Sequence, residues 1–259
     1  MLFRSMPETG IGLFPDVGGG WYLPRKPGQV GLWLALTGAR IKAADCLAAG
    51  IATHYAESSK LAELVAELAQ SAPLAGEGRE GGAGGVFSEA RTAVTPVPAP
   101  QGGGETIARV LSHFFSDPGS PKELTPENRA RIDRLFAGDS VEAIFAALEA
   151  DGSAWSKAQL ATLAAKSPQT LKVAFRQLRE GARMKSFADE MRVEYRIAAR
   201  VCQRHDFLEG VRALILDKDN APKWSPPTLA GVTDAMLDDI FAPLAPADEW
   251  RPLAAHDTA

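Results

Sequence analysis

A segment rich in glycine and proline divides this chain into two unequal parts. Between Pro73 and Gly104 the sequence is PLAGEGREGGAGGVFSEARTAVTPVPAPQGGG, with almost no periodic apolar signal. Glycine raises the entropic cost of ordering a segment and proline removes backbone donors, so this composition predicts a flexible insertion. The core must come from the flanking parts. We therefore expect three regions, residues 1–72, 73–104 and 105–259.

The composition is typical of a globular protein without membrane spans. The chain has 28 Lys and Arg residues against 32 Asp and Glu residues, a net charge of −4, so its field does not favour nucleic acid or anionic lipid. No stretch approaches the roughly 18 apolar residues of a membrane-spanning helix, and MLFRSMPETG resembles neither a secretory signal nor a transit peptide. We expect a cytoplasmic protein, or a mitochondrial one if a transit peptide has been lost.

The flanking parts carry mainly helical periodicity. Residues 32–47 predict two short helices broken at Thr37-Gly38, residues 51–55 predict a short strand, and a capped helix begins near Leu61. After the insertion strand signals nearly vanish. The predicted helices there lie near 105–115, 125–136, 140–150, 153–165, 168–181 and 184–203.

Two carboxylates near the start of the chain lie among apolar and turn residues. Glu8 stands in Pro-Glu-Thr and Asp16 in Phe-Pro-Asp-Val-Gly-Gly. A carboxyl group in a poorly solvated pocket has a raised pKa, which suits general acid or base catalysis near neutral pH. The structural alternative is that Glu8 caps a turn and Asp16 caps a helix beginning near Gly18. Both interpretations stay open from these residues alone.

Other chemistry has less support in the sequence. Gly18-Gly19-Gly20 could offer backbone N–H groups to an anion, but close helix packing is the preferred interpretation, and we expect Arg25 and Lys26 to solvate a surface turn. No serine has a Gly-x-Ser-x-Gly context. Cysteines and histidines lack metal-ligand spacing, so we expect no metal site; they are Cys46, Cys202, His54, His113, His205 and His256.

The segment 205–224 combines charged residues with an apolar stretch that looks buried, Val211–Leu216. It predicts a docked helix that ends in a salt-bridge corner formed by Arg212 and the acidic residues of Asp217-Lys218-Asp219. As an alternative, Lys218 and Lys223 could face the phosphates of a nucleotide-bearing ligand.

Several motifs occur in a fixed order along residues 6–60 and 106–242. They are Met6-Pro-Glu-Thr-Gly-Ile-Gly-Leu-Phe-Pro-Asp-Val-Gly-Gly-Gly20, Leu36-Thr-Gly-Ala-Arg40, Ala49-Gly-Ile-Ala-Thr-His54, Ser167-Pro-Gln-Thr-Leu-Lys172, His205-Asp-Phe-Leu-Glu-Gly-Val-Arg212 and Asp217-Lys-Asp-Asn-Ala-Pro-Lys-Trp224. Together they resemble the crotonase (enoyl-CoA hydratase/isomerase) superfamily, and within it the 3-hydroxyisobutyryl-CoA hydrolases.

The resemblance implies an α/β crotonase-like fold. Residues 1–72 would be the C-terminal remnant of a spiral core of repeated ββα turns, and residues 105–259 a mostly α-helical C-terminal region. It also implies hydrolysis of the thioester of 3-hydroxyisobutyryl-CoA, a step of valine breakdown. The partner would be the acyl-CoA substrate, with no cofactor because CoA is part of the substrate. A homo-oligomer stays open.

The resemblance assigns both catalysis and substrate binding to Glu8 and Asp16. Glu8 would attack the thioester carbonyl or activate water to do so, and Asp16 would bind the 3-hydroxyl group or help manage protons. Family members carry most of the spiral core and the oxyanion-hole donors upstream of Pro-Glu-Thr. We therefore expect an N-terminally truncated chain with impaired activity. The alternatives are enoyl-CoA hydration or isomerisation, and an inactive fragment or interaction module.

Overall fold

The computed structural model describes residues 6–71 and 104–251, so the predicted insertion lies outside the described residues except for Gly104. The secondary structure within this range is helical. The α-helices are α1 (Gly19–Tyr22), α2 (Val30–Thr37), α3 (Ala43–Ala48), α4 (Leu61–Ser71), α5 (Gly104–Phe114), α6 (Pro126–Leu135), α7 (Val141–Asp151), α8 (Ala154–Ala164), α9 (Pro168–Gly181), α10 (Phe187–Val201), α11 (His205–Val211) and α12 (Asp234–Phe241).

Local signals explain why these helices form where the sequence predicts them. Four helices begin with a serine whose hydroxyl accepts the backbone N–H three residues later, at Ser140, Ser153, Ser167 and Ser186. Prolines stand in the first turns of α6 and α9, where a missing N–H costs nothing. The break between α2 and α3 falls at Gly38, which has a left-handed backbone. The helix predictions are confirmed.

The predicted strand at residues 51–55 is wrong. The described residues contain no strand, so the α/β character expected from the resemblance does not show in this part of the chain. An isolated antiparallel bridge pairs Ala56 with Phe115, and the His54 ring stacks on Phe115 at 3.9 Å between centroids. A β-prone run needs a partner strand to become a strand. Here the N–H groups of Ile51 and Ala52 donate instead to the carbonyl oxygen of Cys46 on α3.

Two apolar clusters meet at α9. The larger cluster joins α2 and α3 to α6, α7 and α8, and takes Leu171, Ala174 and Leu178 from α9. The smaller cluster packs Phe14 and Val173 against α10 and α12. Because α9 contributes to both clusters, it is the central helix of the described fold.

Asp45 on α3 connects the parts of the chain that flank the insertion. This side chain is almost fully buried, and its Oδ1 accepts the backbone N–H groups of Lys122, Glu123 and Leu124 at 2.9, 3.0 and 2.9 Å. Three backbone donors thus share one side-chain oxygen of Asp45 as their acceptor. The segment before α6 is thereby held against α3.

Replacement of Asp45 by Ala should destabilise the fold strongly, because three N–H groups would lose their acceptor. We expect the free energy of unfolding to fall by at least about 3 kcal/mol in urea titrations. The exposed Asp248→Ala change is the control, with an expected effect of about 0.5 kcal/mol or less. Similar losses in both variants would contradict the role given to Asp45.

Candidate active site

Glu8 lies on a single 3₁₀ turn, Pro7–Gly10, that precedes α1. Pro7 suits the first position of this turn because its ring presets the backbone angle. The carbonyl oxygen of Glu8 accepts the N–H groups of Ile11 and Leu13 at 3.0 and 2.9 Å. Glu8 therefore stands on an internally hydrogen-bonded turn.

Thr9 anchors that turn to two helices. This residue is fully buried, and its hydroxyl donates to the carbonyl oxygen of Leu36 on α2 at 3.2 Å. Its own carbonyl oxygen accepts the Ser167 N–H at 3.1 Å and the Thr170 hydroxyl at 3.4 Å. The position of Glu8 is therefore determined by the packing of α2 and the start of α9.

The motif that begins at His205 supports the same turn from the other side. The buried Asp206 accepts the Ser167 hydroxyl at 2.5 Å and the Ser225 N–H at 2.7 Å. The backbone of α11 lies so close to the turn that a methyl group at Gly12 would collide with Asp206, and one at Gly210 with Ile11. These contacts give the motifs that begin at Ser167 and His205 a structural role, since both support the turn that carries Glu8.

Burial governs the ionisation of Glu8. Desolvation is the largest cause that raises the pKa of Glu8, from 4.5 to about 7, and the charge of Asp16 raises it further. The Glu8 backbone and the Lys166 ammonium act in the opposite direction. Among the described residues, Oε2 of Glu8 has no hydrogen-bond partner. The carboxyl group can therefore hold or release a proton near neutral pH.

Lys166 is a site residue that sequence reasoning missed. Its Nζ would lie 3.1 Å from a methyl group at Gly10 and 3.4 Å from one at Gly38, so the ammonium rests against the Glu8 turn. Burial lowers the pKa of Lys166, and the Glu8 charge opposes that change. No motif marks this lysine, because it reaches Glu8 only through the fold.

Asp16 follows Phe14-Pro15 in a turn that leads into α1. It does not cap that helix: Gly18 is the N-cap residue and makes no side-chain cap bond, while the backbone carbonyl of Asp16 accepts the Gly19 N–H at 2.9 Å. The capping alternative for Asp16 is therefore wrong. The structure brings Asp16 near enough to Glu8 for its charge to act on that carboxyl group.

Two clefts meet at Asp16. One of about 310 Å³ is mostly apolar and includes Met6, Tyr22, Leu34 and Ile41. The other, of about 250 Å³, lies toward α10 and is bordered by Phe14, Glu194, Cys202 and Trp250, among others. A half-buried carboxylate between apolar walls can orient a small hydroxylated ligand.

The expectation that Arg25 solvates a surface turn is wrong. Its guanidinium does not solvate a surface turn, because it donates to the carbonyl oxygens of Trp21, Gly181 and Met184. Lys26 donates to Gly50 at 2.8 Å. The packing interpretation of the glycines is confirmed, since a methyl group at Gly181 would collide with the Gly20 backbone.

The corner after α11 forms as predicted, with one exception. Arg212 binds Asp217 and Asp219 at 2.7 and 2.6 Å, and also Glu209. The apolar stretch is not buried, however, because the π-helical turn Arg212–Leu216 buries only Ala213 and leaves Leu216 70% exposed. The pattern of apolar residues alone did not distinguish an inner from an outer face.

Metal-binding clusters and membrane-spanning helices are both absent from residues 6–71 and 104–251. Residues 6–71 and 104–251 contain no group of three or more His, Cys, Asp or Glu side chains arranged to hold a metal ion. None of the helices in these ranges combines the length and apolar character that a bilayer crossing requires.

Comparisons with known proteins agree on one family. The family model described as enoyl-CoA hydratase/isomerase matches residues 2–241. Similar curated proteins are "3-hydroxyisobutyryl-CoA hydrolase, mitochondrial" from Xenopus laevis, 40% identical, and from Danio rerio, 41% identical. Each alignment covers 94% of this chain and 57% of the relative. The chain therefore spans little more than half the length of these relatives.

Solved structures show the same fold. A carnitinyl-CoA dehydratase from Mycobacterium thermoresistibile has a TM-score of 0.74 at 32% identity, covering 94% of this chain and 60% of that one. An enoyl-CoA hydratase from Rhodobacter sphaeroides has a TM-score of 0.70 at 30% identity, with coverage of 93% and 60%.

Replacement of Glu8 by Gln should change how stability depends on pH. The pKa of Glu8 is about 7 in the folded protein and 4.5 ordinarily, so protonation of Glu8 stabilises the folded state. This contribution to the free energy of unfolding is complete below pH 4.5 and is lost as the pH rises through about 7. Above pH 7 we expect the variant to be more stable than wild type by roughly 1–2 kcal/mol, allowing for partial solvation. Urea unfolding from pH 4 to 9 measures this. An unchanged pH dependence would refute it, and the exposed Glu149→Gln variant is the control.

Replacement of Lys166 by Met should raise the pKa of Glu8 above about 7, because the nearby positive charge is removed. The Glu8 carboxyl signal, followed by ¹³C NMR during a pH titration, measures the change. Lys157→Met, on the exposed face of α8, should leave that titration in place. If the pKa of Glu8 is the same in Lys166→Met as in wild type, the two groups do not interact.

Proposed function

This chain belongs to the enoyl-CoA hydratase/isomerase family, and from that membership we propose that the protein hydrolyses an acyl-CoA thioester, with 3-hydroxyisobutyryl-CoA as substrate. The observation that carries the proposal is the buried Glu8 carboxyl group, with a pKa of about 7 and a second carboxylate, Asp16, acting on it. The similar curated proteins are named for this reaction, which adds support.

Glu8 is the proposed catalytic residue. Water adds its oxygen to the thioester carbonyl carbon, the C–S bond breaks, and the sulfur leaves as the protonated thiol of CoA. A carboxyl group that titrates near neutral pH can take the proton of water and return it to the leaving sulfur. Direct attack by Glu8 would instead break the C–S bond, release CoA as a thiolate that takes a proton from water, and leave an anhydride that water then opens. Label in Glu8 after a single turnover in ¹⁸O-labelled water would show direct attack with water adding to the Glu8 carbonyl carbon, since general-base catalysis places the label in the product alone.

Asp16 is the proposed substrate-binding residue. Its position between two clefts suits a carboxylate that accepts the 3-hydroxyl group of the acyl part. The mostly apolar cleft of about 310 Å³ has room for a short branched acyl chain. The proposed reaction uses water as its second substrate, and CoA enters as part of the first.

The proposed reaction develops negative charge on the thioester carbonyl oxygen, and hydrogen-bond donors must stabilise that charge. The resemblance assigns the oxyanion donors to residues before Pro-Glu-Thr, and loss of one such donor typically costs about 100-fold to 1000-fold in rate. We propose that residues 6–71 correspond to the C-terminal part of the ββα spiral core.

The test uses an extended protein, in which the N-terminal part of the Danio rerio relative, up to the start of the aligned region, is fused ahead of Met6. In the extended protein we expect hydrolysis, a drop in kcat of at least about 100-fold for Glu8→Gln, and a raised KM for Asp16→Asn. Glu149→Gln is the matched control and should change neither constant. Thiol release from 3-hydroxyisobutyryl-CoA measures the reaction.

Hydration of an enoyl-CoA is the second candidate, favoured because the two similar solved structures are a carnitinyl-CoA dehydratase and an enoyl-CoA hydratase. Product analysis with crotonyl-CoA and with 3-hydroxyisobutyryl-CoA separates the candidates. Hydration without thiol release would overturn the hydrolase proposal, and so would wild-type turnover in the extended Glu8→Gln variant.

A further inference from the structure

Helix α10 buries two carboxyl groups beneath the turn that carries Asp16. Glu190 and Glu194 are one helical turn apart on the same face, and they are only 1% and 6% exposed. Burial of a carboxylate is costly unless hydrogen bonds compensate for the lost water. Neither residue has a part in the proposed reaction.

Both sides of the Asp16 turn are connected to these two acids. After Asp16, the backbone N–H of Gly18 donates to Oε2 of Glu194 at 2.8 Å. Before it, the side-chain amide of Gln177 donates both to the carbonyl oxygen of Pro15 at 2.9 Å and to Oε1 of Glu190 at 3.3 Å. The acids therefore contact the backbone that sets the direction of the Asp16 side chain.

The turn needs such an anchor because its own conformation is strained. Val17 has a φ of 49° and Gly18 a φ of 85°, and a positive φ is a marked outlier for a β-branched residue. The Val17 side chain is 80% exposed, so packing does not compensate for the strain. Further along, a methyl group at Gly20 would collide with Glu190, so the chain lies directly on the acid pair.

A proton shared by the two acids would satisfy the oxygen that lacks a partner. Oε2 of Glu190 has no hydrogen-bond partner within residues 6–71 and 104–251, and Glu194 stands one helical turn away on the same face of α10. Desolvation is the main cause that raises the pKa of each acid, and for Glu194 the charge of Glu190 adds to it. One carboxyl group can thus donate to the other near neutral pH.

The charged groups around Glu190 and Glu194 do not stabilise ionisation of both carboxyl groups. Arg25 acts on Glu190 from the segment after α1, but its guanidinium donates to three backbone carbonyl groups. Asp16 adds negative charge from the turn above, and Gln177 on α9 is neutral. A second ionisation would therefore place three carboxylates close together in a poorly solvated region.

We propose that Glu194 is the positioning residue for Asp16, and that it keeps this role while it shares one proton with Glu190. The role in the reaction rests on the proposed function, since that is what assigns Asp16 to the substrate. When the pair loses its proton, repulsion loosens the turn between Pro15 and Gly18. Substrate binding through Asp16 then weakens at high pH.

The first experiment needs no activity and uses the 259-residue chain. The ¹⁵N-labelled Gly18 amide should show the downfield shift of a bond to a carboxylate, and this shift should titrate together with the ¹³C-labelled Glu carboxyl signals. Glu190→Gln keeps a donor beside Glu194, so the downfield shift should persist without the titration. Glu194→Ala should lose the shift, and Glu149→Gln should change nothing.

The second experiment measures kinetics in the extended protein. Glu194→Ala should lower kcat/KM at least tenfold, whereas Glu194→Gln, which still offers an oxygen to Gly18, should restore most of it. Glu190→Gln should match wild type at pH 7 and keep its KM at pH 9, where that of wild type rises. A purely structural role of the acid pair would not change how KM depends on pH.

The outcomes separate this inference from the proposed function. If the extended protein does not release thiol, the proposed function fails, and the Gly18 titration alone decides whether the acid pair anchors the turn. If thiol is released but Glu194→Ala retains wild-type kcat/KM, the positioning role is overturned. The same holds if the chemical shift of the Gly18 amide does not change with pH in wild type. Should Glu194→Ala fail to fold, the pH profile of Glu190→Gln decides.

Discussion

The hydrogen bonds of Thr9 are the interaction on which the candidate site depends. They tie one short turn to α2 and to the beginning of α9, the helix that contributes to both apolar clusters. Glu8 precedes Thr9 directly, so these bonds fix the backbone from which its side chain projects. Desolvation at that position is the largest cause of the raised pKa of Glu8.

The two carboxylates of the site are held by different means. Glu8 stands on a turn whose carbonyl groups at Glu8 and Thr9 accept backbone hydrogen bonds. Asp16 stands in a strained turn whose Gly18 N–H donates to the buried Glu194 of α10. Strain of this kind persists only where the surroundings compensate for it. In this arrangement the charge of Asp16 raises the pKa of Glu8, and that of Lys166 lowers it.

Sequence reasoning succeeded where the determining interactions are local. Serine caps, prolines in first turns and the 3.6-residue period lie within a few positions of each other, and the helices from α6 to α10 follow them. It failed at residues 51–55, since a strand requires a partner elsewhere in the chain. It also failed at Leu216 and Arg25, because apolar or charged character alone does not say which neighbours a residue meets.

By itself the sequence determined the helices, the family motifs and the choice of Glu8 and Asp16 as candidate acids. Only the tertiary structure decided that Lys166 lies against the Glu8 turn, and that Glu194 binds the backbone of Gly18, 176 positions away. The physical reason is that pKa values and hydrogen bonds depend on burial and on distances between charges. Both arise from contacts between segments far apart in the chain, which no local pattern of residues records.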